Sequence, residues 1–320
     1  MFRKEFKECG IGDTLFARLK NMEKLLDFSK FYVKFEAGNP TGTMKDRASY
    51  ATLKYAKDNG FDTIAVASCG NFGASIVKLS KLFEIVPHVY IPESYHSPRI
   101  AEMERMGGII HRAPGTYEEL VDLSGAEAGE QGWYNGNPGT EENSKVSFEA
   151  YESIAYEIFD ELEYAPDAVS VSVSNGTCFT GVFRGFRKMF RRGKTDKIPV
   201  MVAASTTGGN PIISSFNDGK KKIEDLKPDD ITETPENEPI VNWKSLDGQA
   251  ALDALWESDG YACAVSDPIM IAFSSLLEKE EGLSVLPASA ASVAGMAEFV
   301  KARATHKDKC FVSVLTSRKY

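Results

Sequence analysis

Hydrophobic and polar positions along the chain follow two alternating patterns. Short apolar runs rich in Val, Ile and aromatic residues are bounded by turn residues, which is typical of strands. These runs are residues 31–37, 63–68, 87–92, 108–113, 168–174, 198–205, 261–266 and 310–317. Longer segments between them repeat apolar residues at helical spacing, and several open with Ser, Thr, Asp or Pro. These predicted helices are residues 45–58, 72–83, 97–106, 144–162, 178–191, 268–281 and 288–302.

The alternation of strands and helices predicts an α/β protein. In such folds, mostly parallel sheets are covered by helices on both faces. One stretch departs from the pattern, because residues 217–247 are polar, charged and proline-bearing and lack a sustained period. We expect a surface excursion that contains a short helix, since a structureless segment of that length is uncommon in a compact domain.

The composition argues against several classes of function. A formal net charge of −9 disfavours nucleic acid as a partner, because binding the phosphate backbone requires a basic face. The cysteines form no CxxC pair and the histidines show no HxxxH spacing, so we predict neither a disulfide framework nor a metal site. No apolar run is long enough to span a membrane, and the N-terminus lacks an apolar signal core. A cytoplasmic protein without membrane contact is therefore expected.

Three predicted strand-to-helix junctions carry small and hydroxyl residues. Ligands of open α/β sheets collect at such junctions, where backbone N–H groups project from helix N-termini. "GNPTGTMKDR" follows the first predicted strand, "SCGNFGAS" ends and follows the second, and "SNGTCFTG" ends and follows the fifth. The three junctions are thus the first places to look for a binding site.

The third junction suits a phosphate monoester. Asn175, Gly176, Thr177, Cys178 and Thr180 offer consecutive amides and two hydroxyls at a positive helix end. The stretch matches neither the Walker A pattern nor the GxGxxG fingerprint, so a nucleotide is not expected. A plain glycine-bearing turn is the alternative for this loop taken alone.

The second junction suits a small carboxylate. Ser68, Cys69, Gly70 and Phe72 supply amides and a hydroxyl, and the side chain of Asn71 can donate to a phenolate oxygen. Taken alone, this stretch is also compatible with a tight strand-to-helix turn.

Lys45 lies in the first turn of a predicted helix, where the helix dipole favours anions rather than cations. A Schiff base with an aldehyde cofactor would account for this placement. Pyridoxal phosphate requires a lysine for its aldehyde, a nest for its phosphate, a donor to its ring oxygen, a partner for its ring nitrogen and a cradle for the substrate carboxylate. The three junctions supply four of these five groups.

Together these motifs resemble the fold-type II pyridoxal-phosphate enzymes, the tryptophan synthase β-like superfamily, and within it the threonine synthases. The similarity continues in "VSDPIMIAFSSLLEKEEGLSVLPASAASVAGM", which resembles the family's C-terminal helix–loop–helix, and in "VSVLTS", which resembles its last core strand. The resemblance implies a two-lobed fold, pyridoxal 5'-phosphate as cofactor, a small amino-acid substrate and a homodimer.

The resemblance also implies roles for the matched residues. Lys45 would hold the cofactor aldehyde and shuttle protons. The implied cofactor-binding residues are Lys45, Asn71, Asn175, Gly176, Thr177, Cys178, Thr180 and Thr316. The implied substrate-binding residues are Ser68, Cys69, Gly70, Asn71 and Phe72. Because a neutral hydroxyl at Thr316 would not keep the ring nitrogen protonated, elimination and replacement at the side chain are favoured over transamination.

The family's domain organisation carries over as a further expectation. Residues 1–60 and 145–320 would form a larger, discontinuous domain that anchors the cofactor. Residues 61–144 would form a smaller mobile domain that closes over the substrate and excludes water.

One departure leaves the reaction open. Ser147 stands where the threonine synthases carry an arginine that grips the substrate phosphate, and Lys145, Arg47, Arg99 and the loop 136–143 are candidates for a replacement anion site. We expect a lyase that acts on a small L-amino acid with a side-chain leaving group, by β- or γ-elimination or replacement. The alternatives are a threonine or serine dehydratase, a cysteate- or cysteine-synthase-like β-replacement enzyme, and a non-catalytic relative that binds pyridoxal phosphate or an amino acid.

Overall fold

The computed structural model describes residues 2–68, 70–304 and 308–319. These residues divide into two compact units. The first unit takes its residues from Met1–Ile11 and Asn39–Ala150, and the second unit takes its residues from Gly12–Gly38 and Tyr151–Tyr320. The predicted domains differ from these units mainly in the segment 39–60. The prediction of a mobile domain 61–144 beside a domain of 1–60 and 145–320 stays a prediction.

The described residues form twelve α-helices and ten strands. The helices are α1 (Arg3–Glu8), α2 (Lys20–Leu26), α3 (Lys45–Asp58), α4 (Asn71–Phe83), α5 (Pro98–Arg105), α6 (Tyr117–Gln131), α7 (Glu141–Leu162), α8 (Thr177–Arg191), α9 (Pro211–Asn217), α10 (Gly248–Glu257), α11 (Asp267–Glu281) and α12 (Pro287–Arg303). The strands are β1 (Leu15–Arg18), β2 (Lys30–Phe35), β3 (Thr63–Ala67), β4 (Val86–Pro92), β5 (Ile109–Ala113), β6 (Tyr134–Asn135), β7 (Ala168–Ser172), β8 (Val200–Thr206), β9 (Tyr261–Val265) and β10 (Cys310–Leu315).

The first unit contains a four-stranded parallel sheet in the order β5-β4-β3-β6. Val66 of β3 pairs with Val89 of β4, and both side chains are buried. Helix α6 packs against β3 and β4, while α3 packs against α4. This packing places the N-termini of α3 and α4, which carry two of the three predicted junctions, in the same unit.

The second unit contains a six-stranded sheet in the order β1-β2-β10-β7-β8-β9. All neighbouring strands are parallel except β1 and β2. Val314 of β10 lies opposite Val171 of β7, so the carboxyl ends of these two strands meet at one edge of the sheet. The third predicted junction follows β7 and Thr316 follows β10, which places both at that edge.

The central strands are covered on both faces. Every residue of β7 and of β10 is buried, although successive side chains of a strand point to opposite faces. Helix α12 packs along β7, β8, β9 and β10, and helix α8 also contacts β7. This arrangement confirms the predicted α/β class with mostly parallel, helix-covered sheets.

All eight predicted strands and all seven predicted helices are present, with ends that differ by three residues or fewer. The expectation for residues 217–247 is correct only in part. A single 3-10 turn, Pro228–Asp230, replaces the expected short helix. The end of this segment is not a surface excursion, because Ile240, Asn242, Ser245 and Asp247 are buried.

A buried ion pair lies within the second unit. Lys34 Nζ is 2.6 Å from Glu157 Oε2, and the two side chains are 1% and 5% exposed. The same ammonium donates to the carbonyl oxygen of Thr14 at 2.6 Å. Thr14 in turn donates through its hydroxyl to Glu36, which is also buried. The pair therefore connects β2, α7 and the chain that leads into β1.

Two histidines of the first unit share a contact. His88 Nδ1 and His111 Nε2 are 2.9 Å apart, so one ring nitrogen must be protonated and the other must accept. Trp133 packs on the ring of His88 and Tyr90 on that of His111. Burial and the neighbouring His111 lower the pKa of His88 below its ordinary 6.5, while Glu127 opposes this shift.

The lowered pKa predicts that acid destabilises the fold through His88. The unfolded chain binds a proton more readily than the folded chain, so the stabilisation is present at neutral pH and is lost as pH falls below about 6.5. We expect the thermal unfolding midpoint of the parent protein to fall more steeply between about pH 7.5 and 5.5 than that of His88→Gln. His96→Gln, at an exposed position, should follow the parent. Parallel pH profiles for the parent and His88→Gln would contradict this assignment.

Within the described part of the chain, no helix combines the length and the apolar character required of a membrane span. The same residues contain no group of three or more His, Cys, Asp or Glu side chains arranged to hold a metal ion.

Candidate active site

The first unit brings together the lysine junction, the predicted junction around Lys45, and the asparagine junction, the predicted junction around Asn71. Lys45 is the first residue of α3, and its Nζ lies 5.7 Å from the ring centroid of Phe72. Asn71 is the first residue of α4 and is half-buried, as are Lys45 and Phe72. The amine predicted to carry the chemistry therefore lies beside the loop predicted to bind substrate.

Asp46 holds the lysine junction in place. Its carboxylate accepts from the backbone N–H and hydroxyl of Thr41 at 2.7 and 2.5 Å, and from the Ser75 hydroxyl at 2.6 Å. Burial raises the pKa of Asp46, and the bonds from Ser75 and Thr41 oppose that shift. Sequence reasoning did not single out Asp46, although an acidic residue in the first helical turn was an available signal. Because Ser75 lies on α4, Asp46 ties the lysine junction to the asparagine helix.

Ser68 shapes the asparagine junction. Its hydroxyl oxygen accepts from the backbone N–H of Gly73 at 2.8 Å and from that of Gly70 at 3.4 Å. A hydroxyl that accepts in this way can still donate its own proton to an anion. Gly70 has open space where a Cβ would lie. Cys69 was also predicted to contact substrate, and it lies outside the described residues.

The second unit carries the predicted phosphate junction at the N-terminus of α8. Gly176 precedes the helix with a φ of +87°, and Thr177, Cys178 and Thr180 lie in its first turns. The amides of the first helical turn have no partner within the helix, so they can face an anion. Among the described residues, the Thr180 hydroxyl oxygen is buried without a hydrogen-bond partner. A buried donor of this kind fits the phosphate of pyridoxal phosphate.

The segment 242–247 holds this junction in place through hydrogen bonds to Asn175 and Thr177. The side-chain oxygen of Asn175 accepts from Leu246 N at 3.0 Å and from Asn242 Nδ2 at 3.3 Å. The Thr177 hydroxyl donates to Asp247 Oδ2 at 2.5 Å. The Asn175 oxygen and the Thr177 hydroxyl proton are thus used within the protein, which leaves the backbone N–H groups and Asn175 Nδ2 as donors to an anion.

Sequence reasoning missed the supporting residues of segment 242–247 and also Asn210. Asn210 donates to Ser174 O at 3.1 Å and to Asn242 Oδ1 at 2.9 Å, and it caps α9 by accepting from Ile212 N. Its place immediately before a proline that opens a helix was a sequence signal for the cap. The hydrogen bonds from this cap to Ser174 and Asn242 can be recognised only in the tertiary structure.

Thr316 follows the last residue of β10 and is half-buried. The neighbouring Ser317 N donates to Ser289 Oγ at 3.3 Å, and Leu286 N donates to Ser317 O at 3.4 Å. The start of α12 therefore fixes the backbone beside Thr316. At the same edge of the sheet, Thr316 and the phosphate junction supply a hydroxyl and an anion nest.

The candidates for a replacement anion site lie in different environments. Lys145 is exposed, whereas Arg47 is completely buried. In the loop 136–143, Asn143 Nδ2 donates to the carbonyl oxygens of Gly136 and Asn137 at 2.8 and 3.0 Å. This part of the loop is held by its own hydrogen bonds. Ser147 is buried in α7.

Gly176 is the position where a small change should disturb the phosphate junction most directly. A Cβ there would lie 2.6 Å from Ala251 Cβ and 3.0 Å from Ile212 Cδ1, and the backbone is left-handed. We expect Gly176→Ala to cost about 1–3 kcal/mol of stability and to weaken cofactor retention. Thermal unfolding and a fluorescence titration with pyridoxal phosphate would measure these effects.

The matched control is Gly193→Ala at the other end of α8. Gly193 also has a positive φ, +67°, but nothing lies within 4 Å of its Cβ position. This variant carries backbone strain without the clash. Equal unfolding and equal cofactor affinity for the two variants would contradict the packing role assigned to Gly176.

Comparison with known proteins identifies the family. Residues 8–317 match the family model described as "Pyridoxal-phosphate dependent enzyme". Threonine synthase of Methanocaldococcus jannaschii is 30% identical over 307 residues, which are 95% of this chain and 74% of that protein.

Solved structures show the same fold. A threonine deaminase isoform 2 from Solanum lycopersicum gives a TM-score of 0.80 at 16% identity, covering 96% of this chain and 79% of that one. Maize serine racemase gives 0.79 at 16% identity, with 99% and 95% covered. The chain therefore belongs to the pyridoxal-phosphate dependent enzymes of fold type II, is similar in sequence to threonine synthases, and uses pyridoxal phosphate as its cofactor.

Proposed function

We propose that this enzyme is a lyase that acts on a small L-amino acid with a leaving group on its side chain. The observation that carries the proposal is the placement of Lys45 Nζ 5.7 Å from the Phe72 ring, beside the asparagine junction. When bound, pyridoxal phosphate withdraws electrons from the α-carbon of the substrate. Lys45 would remove the α-proton at Nζ and return it later, which is general acid–base work suited to a positioned amine.

The other proposed site residues bind and orient. Asn71 would donate through Nδ2 to the ring oxygen, and Ser68 would donate its hydroxyl proton to the substrate carboxylate, helped by the amides of Cys69, Gly70 and Phe72. The amides of the phosphate junction and the Thr180 hydroxyl would hold the cofactor phosphate. The Thr316 hydroxyl would bond the ring nitrogen without adding charge, which favours elimination or replacement.

Two facts bear on the substrate class, and they favour different reactions. The similarity to threonine synthases favours an amino acid with a phosphorylated side chain. Ser147 is a small, buried side chain where the resemblance places the phosphate-gripping arginine, and this favours a dehydratase or a β-replacement reaction. A non-catalytic relative is the candidate from another class. A homodimer and a cytoplasmic location stay predictions of the sequence.

The test is an absorbance spectrum of the cofactor-loaded protein before and after addition of one amino acid at a time. The panel is O-phospho-L-serine, O-phospho-L-homoserine, L-threonine and L-serine, and each mixture is assayed for phosphate, keto acid and new amino acid. We expect one substrate to move the visible band and to yield product in the parent but not in Lys45→Ala. Bound cofactor without product and without exchange of any α-proton in D₂O would replace the proposal with the non-catalytic alternative.

A further inference from the structure

Arg99 is a buried cation of the first unit that the proposed reaction does not use. Its side chain is only 6% exposed. Nη1 lies 2.6 Å from Glu102 Oε2, and Nη2 donates to the carbonyl oxygen of Thr41 at 2.8 Å. These bonds engage both terminal nitrogens of Arg99, a candidate for a replacement anion site, with oxygens of the protein.

A further contact of Arg99 is made to Asn71. Nη2 lies 3.1 Å from Asn71 Oδ1 and donates to it. A side-chain amide has an accepting oxygen and a donating nitrogen. With the amide reversed, its NH₂ group would face the N–H groups of a cation, which is unfavourable. The guanidinium therefore fixes which end of Asn71 faces away from it, and that end is the donor Nδ2.

The same guanidinium also holds the lysine junction. Thr41, which accepts from Arg99 through its carbonyl oxygen, donates to Asp46 through its N–H and hydroxyl. Asp46 directly follows Lys45 in α3. One buried side chain on α5 thus connects the backbone next to the reactive lysine with the side chain of Asn71.

We propose that Arg99 is a positioning residue that orients the amide of Asn71 so that Nδ2 donates to the ring oxygen of the cofactor. A cation bonded to the amide oxygen also polarises the N–H groups, which strengthens the bond they donate. This inference rests on the proposed function, because it takes Asn71 to be the partner of the ring oxygen. Loss of Arg99 is expected to weaken the donor without removing it.

The test uses absorbance of the cofactor-loaded protein in a double-mutant cycle of Arg99→Gln and Asn71→Ala. A donor to the ring oxygen favours its phenolate form, which absorbs in the visible range. We expect each single variant to shift absorbance from the visible toward the near-ultraviolet band and to weaken cofactor binding, by about tenfold for Arg99→Gln. In the Asn71→Ala background, Arg99→Gln should add no further spectral shift.

Two further variants separate orientation from folding. Glu102→Gln changes the carboxylate partner of Arg99 and leaves the contact with Asn71, so the parent spectrum is expected. Arg99→Lys keeps a buried positive charge without the forked geometry, and it replaces Arg99→Gln in the cycle if circular dichroism shows that the glutamine variant does not fold. An intermediate spectral shift is expected for it.

The outcomes distinguish the inference from the function on which it rests. An equal spectral shift from Arg99→Gln with and without Asn71 would overturn the inference, as would an unchanged spectrum in the Arg99 variants. A parent protein that binds pyridoxal phosphate without any Lys45-dependent visible band would overturn the proposed function and the inference together.

Discussion

Replacement of Lys45 by Ala is expected to abolish the visible absorbance of the bound cofactor and to reduce turnover by about 10³-fold or more. The amine of Lys45 is the proposed acid–base group and lies beside Phe72 at the start of α3. Alanine has no amine to put in its place. The measurement has two parts, a spectrum of the loaded protein and the rate of product formation with the amino acid of the panel that gives product in the parent.

Borohydride reduction followed by peptide mapping supplies an independent readout. The label should appear on the peptide that contains Lys45 in the parent and should be absent from Lys45→Ala. Lys54→Ala is the control on the same helix, because Lys54 forms an exposed pair with Asp58 at 2.9 Å that contributes little. Labelling of a different lysine in the parent would exclude Lys45 as the reactive amine.

Replacement of Lys34 by Met should destabilise the second unit by about 3–5 kcal/mol. The substitution conserves much of the side-chain volume but removes the ammonium that lies 2.6 Å from Glu157, in a site where Glu157 is only 5% exposed. The carboxylate then stays in a poorly solvated environment without that charge. Urea unfolding monitored by circular dichroism would measure the loss of free energy.

A second substitution tests the cause of this loss. In Lys34→Met/Glu157→Met, the charges are removed together, so most of the stability should return. If the double variant is as unstable as the sum of Lys34→Met and Glu157→Met, then packing rather than loss of the ion pair explains the lower stability. A cost below about 1 kcal/mol for Lys34→Met would show that water reaches the pair.

The strands of the two sheets were predictable because their burial leaves a clear trace in the sequence. β7 and β10 are buried at every position, so each is a short run of small and apolar residues between turns. The sequence pattern did not predict β1 and β6, because neither strand is a buried apolar run. β1 has four residues, none of them buried, and β6 has only two residues, so neither leaves a periodic signal.

Helix α6 was missed because its sequence conflicts with helix propensity. It contains Gly125 and Gly129, and each glycine weakens a helix by up to about 1 kcal/mol relative to alanine. The structure explains Gly125, since a Cβ there would lie 2.7 Å from Asn135 Nδ2. The Asn135 side chain of β6 thus packs closely against α6 at Gly125, and such a contact is invisible in a single sequence.

The candidate site, like the fold, has one part that the sequence predicted and one part that it did not. Lys45, Asn71 and the phosphate junction were predictable because each is a local motif at a strand-to-helix turn. Asp46, Arg99 and segment 242–247 act through contacts that join distant parts of the chain, such as Asp247 with Thr177. Sequence reasoning therefore identified the residues proposed to touch the cofactor and missed most of those that hold them.

The strand order of the second unit constrains how the protein can fold during synthesis. β10, the last strand of the described residues, lies between β2 and β7 in the sheet. Until the ribosome has released residues 310–315, the antiparallel pair β1–β2 and the β7–β8–β9 strands have no common neighbour to join them. Nascent chains would expose the unpaired edges of β2 and β7, which are sites for chaperones or for aggregation. The sheet should therefore close late, when its central strand is inserted.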